Sequence, residues 1–178
     1  MPTPPTFVTG SVLTAAQMNT IGMHLIKAQT ISSGGSGVNV TDAFNADYDN
    51  YRIVASGLDW TIDSFGVLFF LGTYGATGYY GTMTYYTVGV GQNFLPSNNT
   101  QFVYGGIQGV SNDSSVVIDI MNPYTASATT WTGSGFGHRV SYTFSGGLFN
   151  TTQYTGFQFA AGSGTLNSGT IRVYGYRN

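Results

Sequence analysis

The side chains that could do acid–base or metal chemistry are few and scattered. The chain has two histidines, no cysteine and, among its seven acidic residues, only aspartate. General acid–base catalysis needs a group that titrates near the working pH and has a partner within hydrogen-bond reach. In the C-terminal region only His138 offers such a group, and its neighbours Gly137 and Arg139 supply no orienting carboxylate. A nucleophile elbow, a phosphate-binding loop and a zinc-ligand pattern are also missing from the sequence. We therefore predict a protein that is not an enzyme and uses no cofactor or metal.

Two acidic groupings are candidate sites. Asp59 and Asp63 flank Trp60, and paired carboxylates beside an aromatic ring could line a sugar-cleaving site. Segment 47–50 carries oxygen atoms that could bind Ca²⁺, but it lacks the spacing of an EF-hand loop. Side chains of these types near turns usually bond to their own backbone, so turn formation is the favoured interpretation of both groupings.

The composition restricts the possible partners. Charged residues form 7% of the chain, against about 25% in an average globular domain, yet 42% hydrophobic and 15% aromatic residues are enough to fold. The five basic residues are scattered, which argues against nucleic acid. The longest apolar run, Val67–Leu71, is too short to cross a bilayer, and segment 1–7 does not resemble a secretory signal. So few charges also favour burial of surface in an oligomer.

The first 31 residues predict an anchoring arm with a helix over 14–27. Thr14 and Gln17 fit a capping box, and Leu13 with Met18 fits a hydrophobic staple. Met18, Ile21 and Leu25 follow at a/d spacing. A helix this short is marginal alone, so it must pack on its own domain or on a symmetry axis or partner. The Gly/Ser run 32–37 predicts a flexible linker before a head domain at 38–178. A flexible linker slightly favours packing of the helix on a symmetry axis or a partner. The predicted oligomerisation and anchoring residues are Leu13, Met18, Ile21 and Leu25.

The head reads as a succession of short strands separated by Gly, Asn and Ser turns, with no helical period. The predicted strands are Val38–Val40, Tyr51–Ala55, Gly66–Leu71, Tyr79–Val88, Gln101–Tyr104, Ser115–Met121, Thr129–Trp131, His138–Phe144, Thr155–Ala160 and Thr170–Tyr176. The predicted fold is an all-β, antiparallel, jelly-roll-like β-sandwich preceded by one short N-terminal helix.

Aromatic residues are the best candidates for surface recognition. Adjacent residues of a strand face opposite ways, so one member of each tyrosine pair should face outward. An exposed tyrosine suits subunit contacts and glycan binding alike. The candidates are Trp60, Tyr79, Tyr80, Tyr85, Tyr86 and Trp131.

Two stretches resemble virion surface proteins of tailed bacteriophages. Phe7–Asn19, which reads FVTGSVLTAAQMN, is similar to the start of many tail-fibre and minor structural proteins. Phe44–Ile53 and Ile171–Tyr176 are similar to parts of the β-sandwich heads that follow such starts. The resemblance implies a non-enzymatic structural protein on the outer surface of the virion, and it implies no catalytic residues. It also implies a homotrimer whose N-terminal segment binds other virion proteins.

Three hypotheses follow for the role of the chain. The first is an N-terminally anchored trimeric fibre or knob whose head binds a host-surface glycan. The second is a capsid decoration or cement protein that stabilises the shell, for which the lack of a long shaft leaves room. The third is a small carbohydrate-active enzyme, which would need paired carboxylates in one cleft.

Overall fold

The structure is a computed structural model that describes residues 9–10, 12, 22–62, 66–72, 78–87, 91–97, 102–103, 114–137 and 140–176. This part of the chain is all-β and its strands pair antiparallel throughout, as predicted. The strands are β1 (His24–Gly35), β2 (Gly37–Val40), β3 (Asn50–Trp60), β4 (Gly66–Phe70), β5 (Tyr79–Thr87), β6 (Gly91–Ser97), β7 (Phe102–Val103), β8 (Ser114–Met121), β9 (Thr129–Gly137), β10 (Val140–Leu148), β11 (Phe157–Ala161) and β12 (Leu166–Tyr176).

The strands form two sheets with a nested order. The large sheet runs β1-β12-β3-β8-β9-β10-β5-β6, and the small sheet runs β2-β11-β4-β7. Early strands pair with late ones: β1 with β12, β2 with β11, β3 with β8 and β4 with β7. These pairs belong alternately to the large and the small sheet. The strands β9, β10, β5 and β6 extend the large sheet beyond β8.

One aromatic core joins the two sheets. The ring of Phe70, in the small sheet, lies 6.3 Å from Tyr79 and 6.3 Å from Trp131, both in the large sheet. The Phe70 N–H donates a hydrogen bond of 2.8 Å to the Tyr79 hydroxyl. Tyr154 stacks on Phe70 at 4.8 Å, and Phe44 lies 6.2 Å away. All five side chains are buried, so this cluster holds the sheets face to face.

A bulge keeps the inner side of β3 apolar over its whole length. Tyr51, Ile53 and Ala55 are buried at alternate positions, and the buried set then continues with Leu58 and Trp60. The register shifts between Ser56 and Leu58, and Gly57 between them has a φ of 62°. One extra residue in a strand reverses the phase of the alternation. Without this bulge Leu58 and Trp60 would face away from the core.

Glycines in β9 and β10 lie opposite aromatic rings. The in-register pairs are Gly133 with Phe144, Gly135 with Tyr142, and Gly146 with Trp131. A Cβ atom at any of these glycines would collide with the ring of its partner. The rings can therefore lie flat on the neighbouring strand, an arrangement known to stabilise glycine-containing sheets. The glycine-rich run from Gly133 to Gly137 is thus strand, not loop.

The N-terminal predictions need two corrections. The helix expected over 14–27 is wrong for its last turn, because His24 to Lys27 begin strand β1; residues 13–21 lie outside the described part. The linker expected at 32–37 is also wrong, since β1 runs to Gly35 and β2 begins at Gly37. β1 pairs with β12, and Ile31 is buried in the core. Backbone pairing along a long strand outweighs the flexibility of the Ser and Gly residues, so the head begins near His24.

Candidate binding face

The side of the large sheet that points away from the small sheet is here called the outer face. On β8, β9, β10 and β5 its side chains alternate with the buried ones. They are Ser115, Val117, Asp119, Thr132, Ser134, Phe136, Ser141, Thr143, Ser145, Thr82, Thr84 and Tyr86. Most carry a hydroxyl group and one carries a charge. A solvent-facing sheet surface with so little charge is unusual, since charged side chains are the common way to keep such a surface soluble.

A shallow depression of about 300 Å³ lies on the strands β5, β9 and β10. Its outward-pointing lining residues are Thr84, Tyr86, Ser134, Ser141 and Thr143. The other lining residues point their side chains toward the core, so only their backbone reaches this face. The depression therefore combines one aromatic ring with hydroxyl groups and contains no charged side chain.

Asp119, which carries the charge on the outer face of these four strands, is neutralised by Arg52 of β3. Arg52 Nε and Nη2 donate to the two carboxylate oxygens of Asp119, each at 2.7 Å. The hydrogen bond to Asp119 raises the pKa of Arg52, and burial raises the pKa of Tyr176 beside the pair. A fork-shaped ion pair of this kind fixes two side chains without adding net charge.

Tyr51 is a buried polar group with both of its hydrogen bonds satisfied. Its hydroxyl donates to the Asn45 carbonyl and accepts from the Asn45 N–H, each at 2.8 Å. Burial raises the pKa of Tyr51 to about 12. This tyrosine fixes the loop before β3 and has no access to a ligand.

The structure separates the predicted recognition aromatics into two sets. Trp60, Tyr79 and Trp131 are buried core residues, so their assignment to a recognition surface is wrong. Tyr85 is half-buried against the same core. Tyr80 and Tyr86 are exposed on the outer face. The expectation that each tyrosine pair would place one member outward is confirmed.

Of the four predicted anchoring residues, the structure describes only Leu25. Leu13, Met18 and Ile21 lie outside the described residues. Leu25 is in β1, opposite Tyr174 of β12, and is 56% exposed. Its exposure comes from the outward phase of the strand and not from a helical seam.

The titratable candidates do not form a reaction centre in the described part of the chain. The ring of His24 lies 5.9 Å from that of Tyr48, and Asp59 accepts a 3.3 Å hydrogen bond from Asn167. His138 and Asp63 are outside the described residues. Because the Trp60 ring is in the core, it cannot stand between two carboxylates at a sugar cleft.

A side chain just before segment 47–50 forms a turn with the start of that segment. The Asp47 N–H donates to Asn45 Oδ1 at 2.9 Å, so the side chain that makes the turn belongs to Asn45. Among the described residues there is no group of three His, Cys, Asp or Glu side chains that could hold a metal ion.

Two exposed aromatic residues are not among those predicted from the sequence. Phe136 is 51% exposed on the outer face, and Phe149 is 64% exposed, with its ring 5.6 Å from that of Tyr80. The signal for Phe136 was the alternation of glycine with Thr132, Ser134 and Phe136. It marks one face as hydroxyl-bearing and aromatic.

No protein-family model matches the chain, and no curated protein or solved structure matches it either. Within the residues described, no helix is long and apolar enough to cross a membrane.

Proposed function

We propose that the protein is a non-enzymatic structural component on the outer surface of a tailed-bacteriophage particle. In this proposal its N-terminal segment attaches to other virion proteins and its β head displays a surface that binds a host glycan. The observation that carries the proposal is the outer face on β5, β8, β9 and β10: broad, rich in hydroxyl groups, with exposed aromatic rings and with Asp119 neutralised by Arg52. The resemblance of Phe7–Asn19 to phage tail-fibre and minor structural proteins supports the location.

The proposal includes a jelly-roll fold for the head. A jelly roll forms when a long antiparallel ribbon of strand pairs wraps so that successive pairs enter opposite sheets. The pairs β1–β12, β2–β11, β3–β8 and β4–β7 follow this order. In this interpretation β5–β6 and β9–β10 are insertions that widen one sheet. Jelly rolls serve in viral capsid and lectin domains, which makes the role plausible by analogy of fold only.

The proposal also includes a homotrimer. Leu25 in β1 and Met23 just before it are exposed, and β1 is an edge strand of the large sheet. Apolar side chains at a sheet edge favour contact with another chain. Light scattering on the purified full-length chain tests this part: a trimer mass supports it, and a monomer at micromolar concentration contradicts it.

Particles without the chain test the proposed role. We expect the protein in purified wild-type particles, and we expect particles that lack its gene to adsorb to host cells at least about tenfold more slowly. Normal adsorption with a shell that opens at lower temperature would instead support the decoration or cement role. Absence of the chain from purified particles would overturn both roles.

A truncated chain tests the attachment segment. Because Ile31 belongs to the core, the deletion must end before β1. A chain lacking residues 1–22 should keep its fold and no longer join particles. Full occupancy of particles by this chain would show that the head itself carries the attachment.

A further inference from the structure

Two exposed aromatic residues flank one serine on the outer face. In the register of the large sheet Ser141 of β10 is opposite Phe136 of β9 and opposite Tyr86 of β5. Residues paired in this way point to the same side of a sheet. The two aromatic residues are therefore two strand spacings apart, or about 10 Å. They are 51% and 57% exposed.

Hydroxyl groups form the floor beside this row. The outward residues of the adjacent row are Ser134, Thr143 and Thr84, again in register across the same three strands. The depression of about 300 Å³ is lined by these three residues and by Tyr86 and Ser141 of the first row, and Phe136 is next to it, in register with Ser141. We name this site, made of Tyr86, Phe136, Ser141, Ser134, Thr143 and Thr84, the aromatic groove.

The spacing fits a flat ring held between two others. Aromatic contacts place ring centres about 4.5–7 Å apart, so a ring between two walls needs walls about 9–10 Å apart at the closest. A pyranose offers C–H faces for such contacts and hydroxyl groups at its edge for serine and threonine. The volume is at the lower limit for a small-ligand site, about 300 Å³.

The lack of ionisable residues in the aromatic groove favours one class of sugar. None of the six residues of the aromatic groove is ionisable near neutral pH. The Arg52–Asp119 pair lies one row further along the outer face and is internally neutral. Among the described residues of the groove a sialic acid or a phosphorylated sugar would meet no cation, whereas a neutral sugar needs none.

We propose that the aromatic groove binds a neutral saccharide, with one pyranose ring between Tyr86 and Phe136 and its hydroxyl groups on Ser141, Ser134 and Thr143. This inference rests on the proposed function, because it names the place and the class of the host glycan.

The test is binding of the full-length protein to an array of neutral and anionic oligosaccharides of bacterial surfaces. Each neutral hit is then titrated by calorimetry against wild type and the variants Y86A, F136A and Y80A. Tyr80 is the matched control, since it is on the same strand and face as Tyr86 with nearly equal exposure, 51% against 57%, but outside the groove.

We expect at least one neutral hit, a Kd raised about tenfold or more by Y86A and by F136A, and a change within about twofold for Y80A. A tenfold loss corresponds to about 1.4 kcal/mol, the size of one lost ring contact. Melting curves must show that each variant is folded; if F136A is not, Y86A alone decides.

Three outcomes overturn the groove: no neutral oligosaccharide bound with a Kd below about 1 mM, binding of anionic glycans only, or equal losses for Y80A and Y86A. If the groove fails while the chain is found on purified particles, the proposed location on the virion stands and only the site is lost.

Discussion

The two sides of the large sheet are built from different residues although they share the same strands. On β9 and β10 the inner side pairs glycine with Phe144, Tyr142 and Trp131, while the outer face carries Thr132, Ser134 and Phe136. The inner side leaves almost no freedom, because an added methyl group would meet a ring. The outward side chains of β9 and β10 are exposed. Stability is therefore concentrated on the inner side, and the outer face is accessible to a partner.

The largest contrast is expected between two phenylalanines. Phe70 is buried at the centre of the core, and Phe149 is exposed near the outer face. Phe70→Ala should lower the free energy of unfolding by about 3–5 kcal/mol, since it leaves a cavity between the sheets. Phe149→Ala should cost less than about 1 kcal/mol. Urea titration measures both, and equal costs would contradict the division into two sides.

Neighbouring residues of β9 give the next contrast. Gly133→Ala should lower the free energy of unfolding by about 1–3 kcal/mol, because the new methyl group collides with the Phe144 ring and the Val117 carbonyl. Ser134→Ala, one residue further and on the outer face, should change it by less than about 0.5 kcal/mol. Thermal melting of the two variants decides, and a harmless Gly133→Ala would mean that the ring does not lie on the strand.

The stability of the inner side should depend on pH through Tyr51. The pKa of Tyr51 is raised to about 12 from its ordinary value of 10, so its stabilising contribution is complete below pH 10 and is lost as the pH rises toward 12. Two pH units correspond to a loss of up to about 3 kcal/mol. Tyr51→Phe should cost about 1–2 kcal/mol at pH 7 and should flatten the fall between pH 10 and 12. An unchanged alkaline slope in this variant would assign the fall to other tyrosines.

The smallest effect is expected at the ion pair of the outer face. Arg52 and Asp119 are partly exposed, with side chains 39% and 23% accessible. A double-mutant cycle with Arg52→Ala and Asp119→Ala should give a coupling of about 0.2–1 kcal/mol that weakens with added salt. A coupling above about 3 kcal/mol would show that the outer face contributes to stability as the core does.

The sequence was sufficient for features that depend on local patterns. Alternation and turn residues predicted the antiparallel strands, and β8 ends at Met121, as the predicted strand Ser115–Met121 does. Adjacent tyrosines predicted that one member of each pair faces outward, but not which one. Each of these signals is contained within a few residues.

Features that depend on distant partners were not predictable in this way. A strand at His24–Gly35 forms because β12, more than 130 residues later, offers an edge, whereas the local pattern favoured a helix and a linker. The burial of Trp60 and Trp131 depends on which face the other sheet covers. Phe136 belongs to the aromatic groove only because β5 is placed beside β10. Pairing order is a property of the whole fold, and short motifs do not contain it.

The orientation of the protein on the particle, measured by cryo-electron microscopy of purified virions, decides whether the head is displayed on the virion surface. We expect density for the head outside the shell or tail, with residues 1–22 toward the particle and Tyr86 and Phe136 facing solvent. Density in which the outer face is packed against other virion proteins, or particles with no density for the chain, would contradict it.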